Sequence, residues 1–134
     1  MIVPYVDLLR VPFESGGSNP KTGVDCRWVT REVLRRLRGS VAENALPPLP
    51  LTAEEAQAWL DREVERNWEL VGRRWRDASR CGDVLLTSAS GAPHLSVVVV
   101  DTNPRLVLTA TKNRGVMAAP LRSLVGALSV YRLR

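Results

Sequence analysis

The chain has 134 residues, the usual size of one domain, and 45% of them are hydrophobic and 25% charged. This balance excludes a disordered tail, a collagen-like repeat and a coiled coil. The formal net charge is +5, and seventeen of the nineteen basic residues are arginine, so the surface favours anionic partners. With neither a long apolar run nor a signal-peptide pattern at the start, we expect cytoplasmic synthesis and no membrane insertion.

The first half of the chain is predicted to be mainly helical. Residues 1–12 form either a short helix or an extended lead-in, and residues 14–24 are dense in turn formers and predict a loop. After Asp25, apolar residues recur at three- and four-residue steps and predict an amphipathic helix that ends at Gly39. The outer face of this helix carries five arginines, at positions 27, 31, 35, 36 and 38.

A proline-rich linker at 47–50 separates this helix from a second one, predicted over residues 52–77. Thr52 and Glu55 form a capping box at its start. The apolar stripe that follows consists of Ala56, Leu60, Val64, Trp68, Val71 and Trp75. In this prediction Trp68 and Trp75 pack in the core, Trp59 lies half exposed beside the stripe, and arginines at 73, 74 and 76 occupy the last turn.

The pattern changes at Gly82, after which strands are predicted. Apolar, β-branched segments lie at residues 84–86, 95–100, 105–111 and 128–133. Turn formers separate them at 88–93, 102–104 and 113–115. Helices followed by such strands predict an α+β fold. We expect one domain over residues 1–134, with a nucleophile loop, helix and linker over 1–51 and an antiparallel sheet over 82–134.

Two residues are candidates for chemistry, Cys26 and His94, the only histidine. Cys26 lies in the first turn of the first predicted helix, where backbone amides and the helix dipole favour a thiolate. His94 begins a predicted buried strand, from which its ring can act as a general base toward the thiol. By residue type alone, a buried structural cysteine and an ordinary strand histidine are commoner. Cys81 lacks such a context and is predicted to be structural, and nothing in the sequence predicts a disulfide.

Several short motifs surround these two residues and follow one another in a recognisable order. In chain order they are Pro12-Phe13, Gly16-Gly17, Asn19-Pro20, Gly23-Val24-Asp25-Cys26, Gly82-Asp83-Val84, Pro93-His94-Leu95, Leu108-Thr109-Ala110 and Tyr131-Arg132. This set resembles NlpC-type cysteine peptidases, in the compact form encoded in phage tail gene clusters. The resemblance covers nearly the whole chain.

The resemblance implies a compact papain-like fold, in which N-terminal helices pack on a C-terminal antiparallel sheet. It implies that Cys26 is the nucleophile, that His94 is its base and that Asp25 caps the helix. The implied activity is cleavage of peptidoglycan stem peptides, without a metal or organic cofactor. The implied partners are bacterial peptidoglycan and phage tail, baseplate or tail-tip proteins, within a phage tail or tail-like particle assembled in the bacterial cytoplasm.

The chain departs from the family pattern near the implied site. Thr109 stands where a third polar residue, often histidine, orients the catalytic base. Phe13 stands where tyrosine is usual, Trp28 where glycine is usual, and Ser96 where glycine is common. We therefore take Thr109 as a third catalytic position, and Asp25, Phe13 and Trp28 as substrate-binding positions.

Three functions remain open. The first is a Cys-His peptidase, weakened by these departures, that cleaves peptidoglycan stems through a thioester. The second is a catalytically degenerate domain that serves as a tail-tip or adaptor subunit, and the third is a transferase or deamidase on the same fold. A nucleic-acid function is disfavoured, because no aromatic platform or known motif accompanies the arginines. The arginine face is predicted to meet a wall polymer or a neighbouring subunit.

Overall fold

The computed structural model describes residues 1–48, 51–89 and 92–134, and it confirms the predicted α+β class. The described helices are α1 (Cys26–Arg38) and α2 (Ala53–Glu63), and a short ribbon, β1 (Ser18–Asn19) and β2 (Gly23–Val24), precedes α1. The main strands are β3 (Trp68–Gly72), β4 (Val84–Ala89), β5 (Ala92–Val100), β6 (Leu106–Thr111), β7 (Gly115–Pro120) and β8 (Ala127–Leu133). They form one antiparallel sheet in the order β3-β8-β4-β5-β6-β7.

The first helix begins and ends where the sequence predicts. The Asp25 carboxylate accepts a hydrogen bond from the Trp28 backbone N–H at 2.8 Å, which satisfies one of the free donors of the first turn. The apolar stripe of α1, with Val29 and Val33 fully buried, packs on β5 and β6. Residues 1–12, which the sequence left undecided, contain a single 3₁₀ turn at Val6–Leu8.

The five arginines on α1 all bind groups within the chain. Their partners are Glu43 for Arg27 and Arg31, Glu32 for Arg35 and Arg36, Asp7 also for Arg36, and the backbone oxygens of Leu133 and Arg134 for Arg38. Much of the positive charge of this face is therefore compensated internally. The sequence could not show this, since the partners of Arg38 lie more than ninety residues away along the chain.

The prediction of one helix over residues 52–77 is wrong beyond Glu63. The capping box at Thr52 and Glu55 is present, but the helix ends at Glu63 and Glu65 has a φ of 81°. Residues from Trp68 onward form β3, because pairing with β8 supplies their backbone hydrogen bonds. The arginines at 73, 74 and 76 consequently follow a strand and do not end a helix.

The apolar stripe predicted for that helix is divided between the two faces of the sheet. Leu60, Val64 and Trp68 pack in the core beneath α1 and α2, where the Trp68 indole Nε1 donates to the Ala45 carbonyl oxygen at 2.7 Å. Val71 and Trp75 pack on the opposite face, in a smaller cluster with residues of the 3₁₀ turn Leu121–Ser123 and the loop after it. Trp59 is partly buried against the larger core, as predicted.

Three of the predicted strands agree closely with β5, β6 and β8, and the fourth is the start of β4. The sequence missed β7, whose residues are mostly small and lack the β-branched pattern; pairing with β6 imposes its conformation. The predicted loop over 88–93 is too long, because Ser88 pairs with Pro93 in the β4–β5 ladder. Two of its residues, and residues 49–50 of the predicted linker, lie outside the described residues. Neither described helix has the length and apolar character that crossing a membrane requires.

Candidate active site

A compact loop positions Cys26 at the N-terminus of α1. The Val24 N–H donates to the Pro12 carbonyl oxygen at 2.8 Å, and the Val24 carbonyl oxygen accepts from the Glu14 N–H at 3.0 Å. The residues just before Cys26 are therefore fixed by strand-like pairing with the segment around Phe13. A Cβ atom at Gly17 would lie 2.4 Å from the carbonyl oxygen of Gly23, so this close approach requires glycine. The glycine-bearing segment predicted as a loop therefore serves to hold the start of the helix in place.

The backbone of Leu95 joins the predicted catalytic residues. The pairing of β5 with β6 covers Val97 to Val100, and Leu95 lies before its first pair. On this side of β5 the backbone of Leu95 is therefore free to interact with side chains. The Leu95 N–H faces the thiol of Cys26 and acts to lower its pKa, and the Leu95 carbonyl oxygen accepts from Thr109 Oγ1 at 2.8 Å. The structure thus brings Cys26 and Thr109 together at the residue that follows His94.

The His94 ring is oriented by Thr109, with 2.7 Å between Nε2 and Oγ1. Thr109 has one hydroxyl proton, and it donates this proton to the Leu95 carbonyl, which can only accept. Thr109 must therefore accept from Nε2–H of His94. The neutral ring is then the Nε2–H tautomer, and its Nδ1 carries the free lone pair that a general base needs.

Burial determines the protonation state of both groups at rest. Burial raises the pKa of the Cys26 thiol to about 11, although the backbone N–H groups of Leu95, Cys26 and Arg27 act in the opposite direction. The N–H groups at the helix start act in the predicted direction, but desolvation outweighs them, so the thiol and not the thiolate is favoured at neutral pH. Burial also lowers the pKa of His94. Among the described residues the His94 ring is bonded to Thr109 and not to the thiol, so the resting pair is neutral.

Alkylation of Cys26 is expected to be slow at neutral pH and to accelerate up to a midpoint near pH 11. The reason is that only the thiolate reacts, and burial keeps it rare below that pH. The measurement is the iodoacetamide rate constant between pH 6 and 11.5 by mass spectrometry, in a Cys81→Ser background so that one thiol reports. A plateau already reached below pH 7 would show a preformed thiolate–imidazolium pair and contradict this account.

The other predicted site residues have different surroundings. Asp25 is buried, and its carboxylate is engaged in capping α1. Phe13 forms an isolated parallel bridge with Val24, and its ring packs against the main core without a hydroxyl to offer. Trp28 is half-buried against the same core. The large Trp28 side chain leaves α1 packed on β5 and β6, and substrate binding by these three residues stays a prediction.

Sequence reasoning missed a group of basic residues on the segments that precede Phe13 and follow Thr109. Arg10 N–H donates to the Val116 carbonyl, and Val116 N–H donates to the Val11 carbonyl, both at 2.9 Å. This places Arg10 beside the turn that carries Lys112 and Arg114. All three basic side chains are exposed, and within the described part of the chain none forms an ion pair. We call these three residues the basic rim; only the tertiary contacts bring them together.

Comparison with known proteins adds no assignment to this geometry. No family model matches the chain, and no curated protein matches it. Across residues 1–48, 51–89 and 92–134, His, Cys, Asp and Glu side chains nowhere gather in a group of three or more that could hold a metal ion. Both cysteines are free.

Proposed function

We propose that this chain is a thiol-dependent amide hydrolase of the papain-like type, with Cys26 as nucleophile and His94 as general base. The observation that carries the proposal is the convergence at Leu95, whose N–H meets the Cys26 thiol while its carbonyl holds the hydroxyl that orients His94. Nucleophile, base and orienting group in this order are the arrangement that covalent acyl transfer needs.

The chemistry follows from the neutral resting pair. His94 Nδ1 takes the thiol proton as Cys26 Sγ forms a bond to the amide carbonyl carbon, and backbone N–H groups at the start of α1 stabilise the oxyanion. The imidazolium then gives its proton to the leaving nitrogen, the C–N bond breaks, and a thioester remains. Water, deprotonated by His94, hydrolyses the thioester, which releases the acid and restores the thiol.

Thr109→Val is expected to lower kcat by about 10- to 100-fold with little change in KM, because it removes a hydrogen bond of roughly 1.5–3 kcal/mol from the developing imidazolium. Thr109→Ser keeps the hydroxyl and is expected to retain most of the activity. Steady-state kinetics of both variants on one substrate check this. Equal losses in the two variants would mean that Thr109 acts through packing and not through its hydroxyl.

The proposed substrates are peptidoglycan stem peptides, and the proposed setting is a phage tail or tail-like particle, as the resemblance to NlpC-type peptidases implies. The basic rim supports an anionic substrate, because stem peptides carry carboxylates that exposed Arg and Lys side chains attract. One exposed acid, Glu14, lies on the same segment, so the rim keeps a positive balance.

The test is digestion of purified peptidoglycans of several cross-link chemistries by the purified chain. Chromatography with mass spectrometry is expected to show released muropeptides, and the new amino and carboxyl ends identify the bond that is cut. A product in which the acyl group is joined to another amine or hydroxyl group, in place of a free acid, would indicate transfer and not hydrolysis. The absence of any product from every wall type would refute the proposal.

The second candidate function is a structural tail-tip or adaptor subunit without catalysis. The observation that favours it is the burial of Cys26, which is 6% exposed, while the His94 ring is bonded to Thr109 and, among the described residues, not to the thiol. The two proposals differ in what Cys26→Ala does inside an assembled particle. A structural subunit predicts particles of normal number and normal passage through the wall, whereas a hydrolase predicts normal number and impaired passage.

A further inference from the structure

A pocket lies at the opposite end of α1 from Cys26. Its volume is about 220 Å³, and it is formed by the end of α1, residues 40–45, the turn before β3 and the end of β8. Since α1 has 13 residues at about 1.5 Å each, roughly 20 Å of helix separates this pocket from the thiol. The pocket is therefore distinct from the candidate active site.

Three arginines, Arg38, Arg66 and Arg134, line the pocket together with uncharged polar residues and no acidic residue. Arg38 is engaged, since its guanidinium donates to the backbone oxygens of Leu133 and Arg134. In the part of the chain that the structure describes, the Arg134 guanidinium donates only through Nε, to the Trp68 carbonyl at 3.0 Å, which leaves its two terminal nitrogens for a ligand. Within the described residues the Arg66 side chain makes no hydrogen bond or ion pair and is exposed.

Negative groups near the pocket do not cancel this charge. Glu43 does not line the pocket, and its carboxylate is held by Arg27 and Arg31. Glu63 reaches the pocket margin, where its Oε2 accepts from Asn67 Nδ2 at 3.1 Å. The C-terminal end of α1 adds about half a negative charge. With the α-carboxyl group of Arg134 counted beside Glu63, three guanidinium groups still exceed two carboxylates and half a charge, so the pocket keeps a small positive balance.

We propose that this pocket is a binding site for a phosphate-class oxyanion. The planar guanidinium groups of Arg66 and Arg134 present paired N–H donors that match two oxygens of a tetrahedral anion. Ser40 and Asn44, which also line the pocket, add uncharged donors. A volume of about 220 Å³ accommodates a phosphate group with a small part of its carrier.

The Trp68 indole N–H can report binding of an anion in the pocket. Ala45 lines it, and the Ala45 carbonyl accepts the indole N–H of the buried Trp68. The Trp68 carbonyl in turn accepts from Arg134. An anion that draws Arg134 into the pocket is therefore expected to shift the nuclear magnetic resonance of the Trp68 indole N–H.

The test is titration of the full chain with inorganic phosphate, with sodium chloride of equal ionic strength as the blank. We expect a saturable shift of the Trp68 indole resonance with phosphate only. Arg66→Gln is expected to weaken binding about tenfold or more, since a charged hydrogen-bond donor is lost, while it leaves the fold unchanged because the Arg66 side chain has no partner among the described residues and its backbone bond to Glu63 is kept. Arg62→Gln is the matched control, since Arg62 is also exposed but lies outside the pocket.

Two further comparisons decide which kind of phosphate compound binds and whether the pocket is the binding site. Binding of a glycerol phosphodiester as tightly as phosphate supports a polymer ligand, and binding of phosphate alone supports a free phosphate or a monoester. A shift that never saturates, or equal affinity in Arg66→Gln and the parent, would overturn the proposal. Each readout is equilibrium binding, so the result does not depend on whether Cys26 is catalytic.

Discussion

Replacement of Cys26 by alanine is expected to abolish muropeptide release, with a loss of about 10⁴-fold or more in kcat/KM. The thioester cannot form without Sγ, and the only other cysteine, Cys81, is bonded to the Met1 and Val99 carbonyl oxygens instead. The measurement is the initial rate of stem-peptide cleavage with parent and variant at equal concentration. The matched control is Cys81→Ser, because Cys81 is also buried and free but lies against Val99 and Met1.

The Cys26 result needs a test of folding beside it. Cys26→Ala removes one buried sulfur from the main core, so a small loss of stability, about 1 kcal/mol, is expected. A melting curve that stays cooperative, together with lost activity, assigns the effect to chemistry. Cleavage by Cys26→Ala at the parent rate would refute the nucleophile assignment and leave the structural candidate in place.

The largest expected effect on stability comes from Asp83→Asn. Asp83 is fully buried, and its carboxylate accepts from the Ser79 and Arg80 backbone N–H groups and from Nε and a terminal nitrogen of Arg132. Asparagine places an N–H₂ group among these donors and leaves the Arg132 charge without its counter-ion. Breaking one partner of a buried ion pair costs about 3–5 kcal/mol, which is a large fraction of the usual 5–15 kcal/mol total.

Urea unfolding checks this prediction, and the melting temperature is expected to fall by about 10–15 °C for a domain of this size. The matched control is Glu43→Gln, which removes the carboxylate from an exposed cluster with Arg27 and Arg31. Exposed pairs contribute about 0–1 kcal/mol, so this control is expected to lie close to the parent. Equal effects of the two substitutions would contradict the prediction that the buried Asp83–Arg132 pair stabilises the fold more than the exposed Glu43 pairs do.

Local signals allowed the sequence to predict α1 and most strands correctly. The cap at Asp25 and the stripe through Val29 and Val33 act within a few residues of one another, so they need no tertiary information. The β-branched run in β5 is also a local signal. These elements placed Cys26 at a helix start and His94 on a strand, which are the two positions on which the candidate site depends.

Local signals failed where a distant partner decides the conformation. The stripe from Leu60 to Trp75 has helical spacing, yet β8, at the end of the chain, pairs with Trp68–Gly72 and turns this part into an edge strand. In β3, pairing energy from residues more than fifty positions away outweighs a modest local preference. The next strand that the sequence missed, β7, has a weak local signal and forms because the neighbouring β6 offers it hydrogen bonds.

The sequence by itself determined the α+β class, through the order of its helix and strand patterns, and an arginine-rich net charge of +5 that favours anionic partners. Only the tertiary structure decided where that charge is uncompensated: four arginines of α1 form ion pairs, whereas the basic rim and Arg66 form none within the described residues. It also decided the state of the thiol, because a helix N-terminus is a local property and burial is not. Desolvation by the packed sheet raises the pKa of Cys26 to about 11 against the local effect of the amides.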